Sequence, residues 1–456
     1  MVSCVMVARE AFLDAHRRKK EALAEALREG RGPVGLAKET SNLFRDRAAG
    51  ARRRLDVRAF TDVLKVDTAA GWVDAEGMVT YEALVDECLA HGVMPAVVPQ
   101  LKTITLGGAV AGVGIESSSH RHGLVHDTVR EIEVLLGDGS IVIAAPGNAH
   151  EDLFFGFPNS YGTLGYALRV RAKVIPVKPY VHLQHLAFHE AKDFFEKLEA
   201  LLRKGEADFV DGTIFEPGRM FITLGRFADS APYTSDYSFE NIYYRSIAER
   251  REDFLTVKDY LWRWDTDWFW CSKNVLAQNA FVRRHVYGKE RLGSRTYTRI
   301  MRWNSRVGAT KLIERLAGLH SESVIQDVDI PIGRAAEFFA FYAREIALWP
   351  QWVCPIGVRE GKGRFTLYPV QHDWYVNFGF WDVKRTREAH PAGHFNRMIE
   401  GEVTRLGGIK SLYSDSFFAQ AEFSRLYGGA AYEALKRRYD PAGAFPGLYE
   451  KCVLRR

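Results

Sequence analysis

The chain has 456 residues, 47% of them hydrophobic, so it can bury substantial cores, and its length suits two domains or a few. Its 62 basic and 57 acidic side chains leave a net charge of +5 with no long lysine or arginine tract, which argues against a nucleic-acid partner. The five cysteines, at 4, 88, 271, 354 and 452, are scattered and odd in number, without CxxC or zinc spacing, and point to reduced thiols in a cytoplasmic compartment.

The N-terminal MVSCVMVAREAFLDAHRRKK meets charged residues after a few apolar ones, far short of the about 20 a spanning helix needs. Neither a signal peptide nor a transmembrane anchor is expected. Residues 8 to 29 read as a helix with a basic side (His16, Arg17, Arg18, Lys19, Lys20) and apolar Phe12, Leu13, Leu23 and Leu27. Such a helix either packs on its own domain or lies on a membrane surface. VDECLAHGVMPAVVP reads as a helix, a turn and a short extended piece. Residues 107 to 123, GGAVAGVGIESSSHRHG, follow with five glycines that suit a cofactor cradle built from bare backbone. Their spacing is not the dinucleotide fingerprint, and neither an amphipathic helix nor a ribose-binding acid follows, so a nicotinamide-type Rossmann fold is disfavoured. Two strand patterns come next. EIEVLLGDGSIVIA alternates through Ile132, Val134 and Leu136 into an Asp138-Gly139 turn, and YALRVRAKVI sets Leu168, Val170, Ala172 and Val174 against Arg169, Arg171 and Lys173.

At residues 176 to 179 (PVKP) the texture changes to amphipathic stretches, HEAKDFFEKLEALLRK and GRAAEFFAFYAREI, alternating with strand-like runs such as RMFITLGRF and DWYVNFGFW. The predicted class is α+β, with residues 1–178, 179–430 and 431–456 as first domain, second domain and C-terminal return. Aromatic residues are densest in DYLWRWDTDWFWCSKN, residues 259 to 274, where Arg263, Asp265, Asp267 and Lys273 argue against complete burial. A core or interface role is expected there, with a lipid-facing or pocket-rim role as the alternative.

GLAKETSNLFR (35 to 45), VVPQLKTITLGGAVAGVGIESSSHRHG (97 to 123), the strand pair around GDG, SYGTLGYALRVRAKVIP (160 to 176) and RRYDPAGAFPGLYEK (437 to 451) occur in an order that resembles the PCMH-type, or vanillyl-alcohol-oxidase-like, flavoproteins. GIESSSHRHGL, QDVDIPI (326 to 332), WPQWVCPIG (349 to 357) and SLYSDSFFAQAEF (411 to 423) resemble the Δ24-sterol reductases within that superfamily, from about residue 60 to the end. The resemblance implies an FAD-binding domain, a substrate (cap) domain and a return segment at the boundaries above. It implies FAD held non-covalently, because KETSNLFR offers no histidine for a covalent flavin bond. The flavin contacts it implies are Ser41, Asn42, Pro99, Thr103, Thr105, Gly107, Gly108, Gly112, Gly114, Ser117, Ser118, Gly162, Thr163 and Gly165.

The implied chemistry is two-electron exchange with a carbon–carbon double bond of an aliphatic lipid. Such an alkene has no carbonyl to take up hydride charge, so a proton donor must act across the substrate. Tyr413 is the first candidate donor and His120, which is also a candidate flavin-loop ligand, the next; Lys410, three residues before Tyr413, is expected to lower the phenol's pKa. Glu116 either braces the glycine-rich loop or handles protons. His122 and His126 are expected to be structural or exposed, and no metal site is expected. The eukaryotic reductases carry an N-terminal anchor, which is not expected here, and the arginine-rich composition suggests a bacterial homologue. A methylene- or methyl-branched acyl chain of a phospholipid therefore ranks above a sterol, in either reaction direction, with NADPH as the expected reductant in the forward one. Peripheral contact with the inner face of the membrane is expected through the N-terminal helix and the 259–274 aromatics. The alternatives are an FAD-dependent alcohol or carbinol oxidase or dehydrogenase, and a non-catalytic flavin- or lipid-binding protein.

Overall fold

A computed structural model describes residues 2–30, 32–38, 44–45, 52–307, 318–358 and 362–455. The class is α+β. Strands β1 (Val34–Ala37) and β2 (Arg53–Asp56) form a small parallel pair. β3 (Val63–Asp67), β4 (Trp72–Glu76), β5 (Val93–Pro95), β6 (Val129–Leu135), β7 (Ile141–Ala144) and β8 (Tyr166–Pro176) make a six-stranded antiparallel sheet of order β3-β4-β8-β6-β7, with β5 paired to β8. The β6–β7 connection turns at Asp138, which accepts from Ser140 N at 2.8 Å, so the Asp-Gly signal is used as a hairpin turn. On β8 Leu168, Val170, Ala172 and Val174 are buried, while Arg169 and Arg171 pair with Asp74 and Glu131 on the opposite face.

The change of sheet falls between Pro176 and Tyr180. The second sheet has eight antiparallel strands: β9 (Tyr180–Phe188), β10 (Phe209–Glu216), β11 (Arg219–Ala228), β12 (Glu252–Thr256), β13 (His320–Pro331), β14 (Gln351–Gly357), β15 (Trp374–Thr386) and β16 (Ile409–Lys410), in the order β12-β9-β11-β10-β14-β15-β13-β16. Helices Ala191–Lys204, Ala335–Glu345 and His394–Arg405 cover one face of it, where Phe194, Leu198, Phe338 and Ile399 pack on Val328, Val353, Val376 and Phe378. Strand alternation sends the intervening residues, among them Asp211, Asp327, Asp329 and Asn377, to the other face.

The aromatic segment 259–274 is more deeply buried than its charges suggest. Arg263, Asp265 and Asp267 are all buried, which overturns the lipid-facing alternative, whereas Lys273, paired with Asp382, keeps the partial exposure expected of the segment. Each charge has found a partner from elsewhere in the chain. Arg263 meets Glu116 and Asp211, Asp265 accepts from Lys102 N and the Ser294 hydroxyl, and Asp267 is held by Arg283. Compensated charges tolerate burial that isolated ones do not. Cys88, Cys271, Cys354 and Cys452 are free thiols. Among the described residues no helix is long and apolar enough to cross a membrane.

The N-terminal helix α1 (Val2–Glu29) packs on the outer, charged face of the six-stranded sheet. Leu23 and Leu27 enter a small core with Leu55, Phe60, Tyr166 and Leu168, each burial contributing roughly 1.5–3 kcal/mol. The basic side of the helix is used in this docking: buried His16 bridges Glu76 and Glu133, each at 2.7 Å, and Lys19 and Lys20 pair with the same two acids. Burial alone would lower the His16 pKa, but hydrogen bonds to Glu133 and Glu76 raise it above its ordinary value. A raised histidine pKa means that this stabilisation is complete below 6.5 and is lost as pH rises through the folded-state value. His16→Ala is expected to cost about 3 kcal/mol in urea unfolding at pH 6, the scale for removing one partner from a buried ion pair. The gap to the parent protein should narrow at pH 9.

Candidate active site

A cavity of about 810 Å³ lies between the six-stranded sheet and the open face of the eight-stranded sheet. One wall is the segment from Pro99 to Ile115. Thr105 caps the short helix Leu106–Ala111 by accepting from Gly108 N at 3.3 Å, and Gly107 N donates to Gly77 O at 2.9 Å. A Cβ at Gly107 would lie 2.8 Å from that carbonyl oxygen. The glycine therefore lets two stretches of backbone close against each other and so brings the helix start to the cavity. Pro99, Thr103, Thr105, Gly107, Gly108, Gly112, Gly114, Gly162, Gly165 and Tyr413 all line the cavity. Ser41 and Asn42 lie outside the described residues.

The other expected residues stand behind the cavity wall. Ser118 Oγ donates to Ala96 O at 2.8 Å, Thr163 is fully buried, and Ser117 Oγ donates to Glu116 at 2.6 Å and lies 2.8 Å from the Tyr260 hydroxyl. Glu116 is buried against Arg263, and burial raises its pKa despite that partner. His120 lies with Nδ1 2.8 Å from Ser117 O and Nε2 3.1 Å from Ala207 O, where it bridges the glycine-rich segment to the residues just before β10. His126 is buried against Phe365, which holds its pKa down at about 3.

Lys410 is also turned away. It pairs with Val328 across β16 and β13, so its side chain shares the face of Val328, opposite the cavity, and reaches Glu400 at 2.8 Å. It does not lower the Tyr413 pKa. Burial, followed by the charge of Asp327, pushes that phenol well above its ordinary value.

What surrounds Tyr413 is a group of residues from β13 and β15. Asp327 and Asp329, two apart on β13, face the cavity together, opposite Gly379 and Asn377 on β15. Trp381 Nε1 donates to the Tyr413 oxygen at 2.8 Å. Asp329 accepts from the Tyr368 hydroxyl at 2.6 Å and from Asn377 Nδ2 at 2.7 Å. Burial pushes Asp327 up to about 8, with the Tyr413 hydroxyl pulling it down and Asp329 adding to the rise; burial likewise takes Asp329 to about 6. The rise favours the protonated form of Asp327. Trp268, Phe269, Trp352 and Trp381 supply apolar wall around the group. Trp268 and Phe269 hold positive φ of 43° and 58°, which bulky residues adopt only when their surroundings force it.

Neither acid of QDVDIPI is among the expected site residues; their alternation with Val328 and Ile330 was the available signal. A second missed feature is cationic. Lys38, Arg45, Arg52, Arg54, Arg302, Lys451 and Arg455 line the cavity, whereas Asp327 and Asp329 are the acids on its wall.

Residues 20–145 match the family described as FAD binding domain. Over 406 residues the chain is 26% identical to the Δ24-sterol reductase of Homo sapiens, covering 86% of this chain and 76% of that protein. The Δ24-sterol reductase homolog dhcr-24 of Caenorhabditis elegans is similar at 26% over 419 residues, covering 86% and 77%. Cytokinin dehydrogenase 7 of Oryza sativa subsp. japonica is 31% identical over 150 residues, 32% of this chain and 28% of that protein. The chain is an FAD-dependent oxidoreductase.

The cavity of this flavoenzyme fits its cofactor. The cationic side chains suit a diphosphate, the glycine-rich segment brings backbone to the surface, and the aromatic wall suits a flat ring. Gln100, whose buried side-chain amide has no hydrogen-bond partner among the described residues, offers both a donor and an acceptor on the same wall.

The fit around the acid pair is tight at Gly379, where a Cβ would fall 2.7 Å from Asp327 Oδ1 and 2.6 Å from the Trp381 ring. Gly379→Ala is expected to leave bound FAD, measured by absorbance after desalting, unchanged. Flavin turnover should fall about 10²-fold, the scale of misplacing a reacting group by an ångström.

Proposed function

We propose that the enzyme reduces a carbon–carbon double bond in an aliphatic lipid, with a methylene-branched acyl chain of a phospholipid as the preferred substrate class. The observation that carries the reading is the Asp327 carboxyl beside the Tyr413 phenol in an aromatic-walled part of the cavity, with Asp329 on the same face of the strand. An alcohol oxidase needs an ionised base next to the carbinol, whereas an isolated alkene needs an acid, and burial pushes Asp327 up to about 8, which favours its acid form. The names of the sterol-reductase relatives support alkene reduction, and the division at residues 178 and 430 into flavin domain, cap and return is part of the proposal. NADPH is the reductant that the family resemblance implies.

Bound FAD supplies hydride chemistry at the substrate carbon. The remaining work falls to the protein. Tyr413 presents its hydroxyl hydrogen to the alkene carbon that becomes protonated, and Trp381 Nε1, bonded to the phenol oxygen, fixes its orientation. Asp327 returns a proton to Tyr413, so the phenolate, costly in this buried setting, does not accumulate. Asp329, tied down by Tyr368 and Asn377, keeps the Asp327 pKa high. The aromatic wall excludes water that would compete for the proton. The reverse reaction would use the same groups in the opposite order.

The test is anaerobic: reduced enzyme is mixed with phospholipid carrying a methylene-branched chain, and recovery of the oxidised flavin spectrum is followed alongside the gain of two hydrogens in the lipid. A flavin that stays reduced with this lipid and with sterol alkenes rejects the reading. Tyr413→Phe should retain FAD and lose about 10²-fold in turnover. Because reduction requires Asp327 in its protonated form, turnover should be level below about 8 and decline as pH rises through that value. Asp327→Asn should be slower and lack this alkaline limb.

A further inference from the structure

Half of the exposed large apolar side chains among the described residues fall in one segment. Leu276, Phe281, Val286, Met301 and Trp303 are 42–69% exposed, and five others are spread over the rest of the chain. The same segment, residues 276 to 303, holds seven lysines and arginines against the single acid Glu290; Arg283 is buried on Asp267, which leaves six cations at the surface, two of them paired with acids outside the segment, Arg284 with Glu240 and Arg295 with Glu82. Arg291, Arg295, Arg299 and Arg302 are exposed. Arg302, between Met301 and Trp303 on the helix Ser294–Val307, also lines the active-site cavity, so this surface borders the cavity mouth.

A protein surface seldom gathers bulky apolar groups in solvent without a partner, and adding a concentrated positive charge selects among partners. An anionic phospholipid bilayer satisfies both properties: arginines meet the headgroups while Phe281, Met301 and Trp303 enter the interfacial layer, where tryptophan is favoured. We propose that residues 276–303 form a docking face for an anionic phospholipid membrane and set the cavity mouth against the bilayer. Delivery of an acyl chain into the cavity from the bilayer rests on the lipid-reductase reading; docking itself does not.

The experiment uses the full-length flavoprotein with vesicles of phosphatidylcholine alone or mixed with phosphatidylglycerol. Sedimentation at low salt is expected with the mixed vesicles and should weaken as salt rises. Reversing Arg291 and Arg299 to glutamate together should weaken it at least about tenfold, as should Phe281→Ser with Trp303→Ser. Trp303 is the one exposed tryptophan of the ten, all of which are described, so bromine-labelled lipid should quench fluorescence in the parent and much less in Trp303→Phe. Flavin content and turnover of detergent-dispersed substrate should stay at parental levels in these variants. Vesicle binding that the substitutions leave untouched overturns the proposal. So does self-association without lipid that Phe281→Ser abolishes, because the face would then be covered by a second copy. Turnover of dispersed lipid without vesicle binding would defeat docking alone, whereas vesicle binding without turnover of any lipid would support docking and defeat the substrate reading.

Discussion

A guanidinium shut away from water must be paired wherever it lies, and Arg263 is paired by both halves of the molecule at once. It donates to Glu116, which follows the glycine-rich run, and to Asp211 on β10 of the second sheet, while its plane lies 3.9 Å from the centre of the Tyr260 ring. Trp352 Nε1 on β14 donates to the same Asp211 oxygen at 3.2 Å. Leaving such a charge without its partner costs about 3–5 kcal/mol, a large share of the stability of an ordinary domain. The two sheets, the aromatic segment and the cofactor segment are therefore seated together. The cavity exists because this junction holds its walls in register.

Within those walls the protein separates two electrostatic tasks. Cations contributed by the small parallel strand pair, the neighbouring 44–45 stretch and the C-terminal residues suit an anionic cofactor, and carboxyls on β13 suit proton handling. The separation depends on strand parity. Asp327 and Asp329 face the cavity, while Gln326, Val328 and Ile330 face the helices, so a shift of one residue in register would exchange an acid pair for a hydrophobic surface. Phe44 N, which donates to Tyr413 O at 3.1 Å, ties the 44–45 stretch to the residue proposed as proton donor.

Much of this arrangement was legible in the residues. The alternation of Leu168 to Val174 places β8, the glycine-rich run lines the cavity, and the order of motifs anticipates FAD. Contacts set by distant partners were less legible. Burial of Arg263 depends on Glu116, 147 residues away, and nothing local to DYLWRWDTDWFW announces it. Lys410 sits three residues from Tyr413 in sequence but on the opposite side of the sheet, a consequence of register with β13 that proximity in the chain does not convey. Asp327 and Asp329 carry a visible pattern, yet which face of their strand would meet the cavity depends on how the second sheet packs.

The helix Ser294–Val307 has one more attachment. Its Tyr297 ring stacks nearly parallel to Trp268, with centroids 6.2 Å apart, and Trp268 is part of the cavity wall. Any displacement of that helix must carry Trp268 with it or break the stack, and a molecule filling the cavity against Trp268 presses back on the helix. The surface and the interior are thereby mechanically joined. Whatever free energy a ligand spends in shifting this stack would count equally against a displacement that starts at the helix.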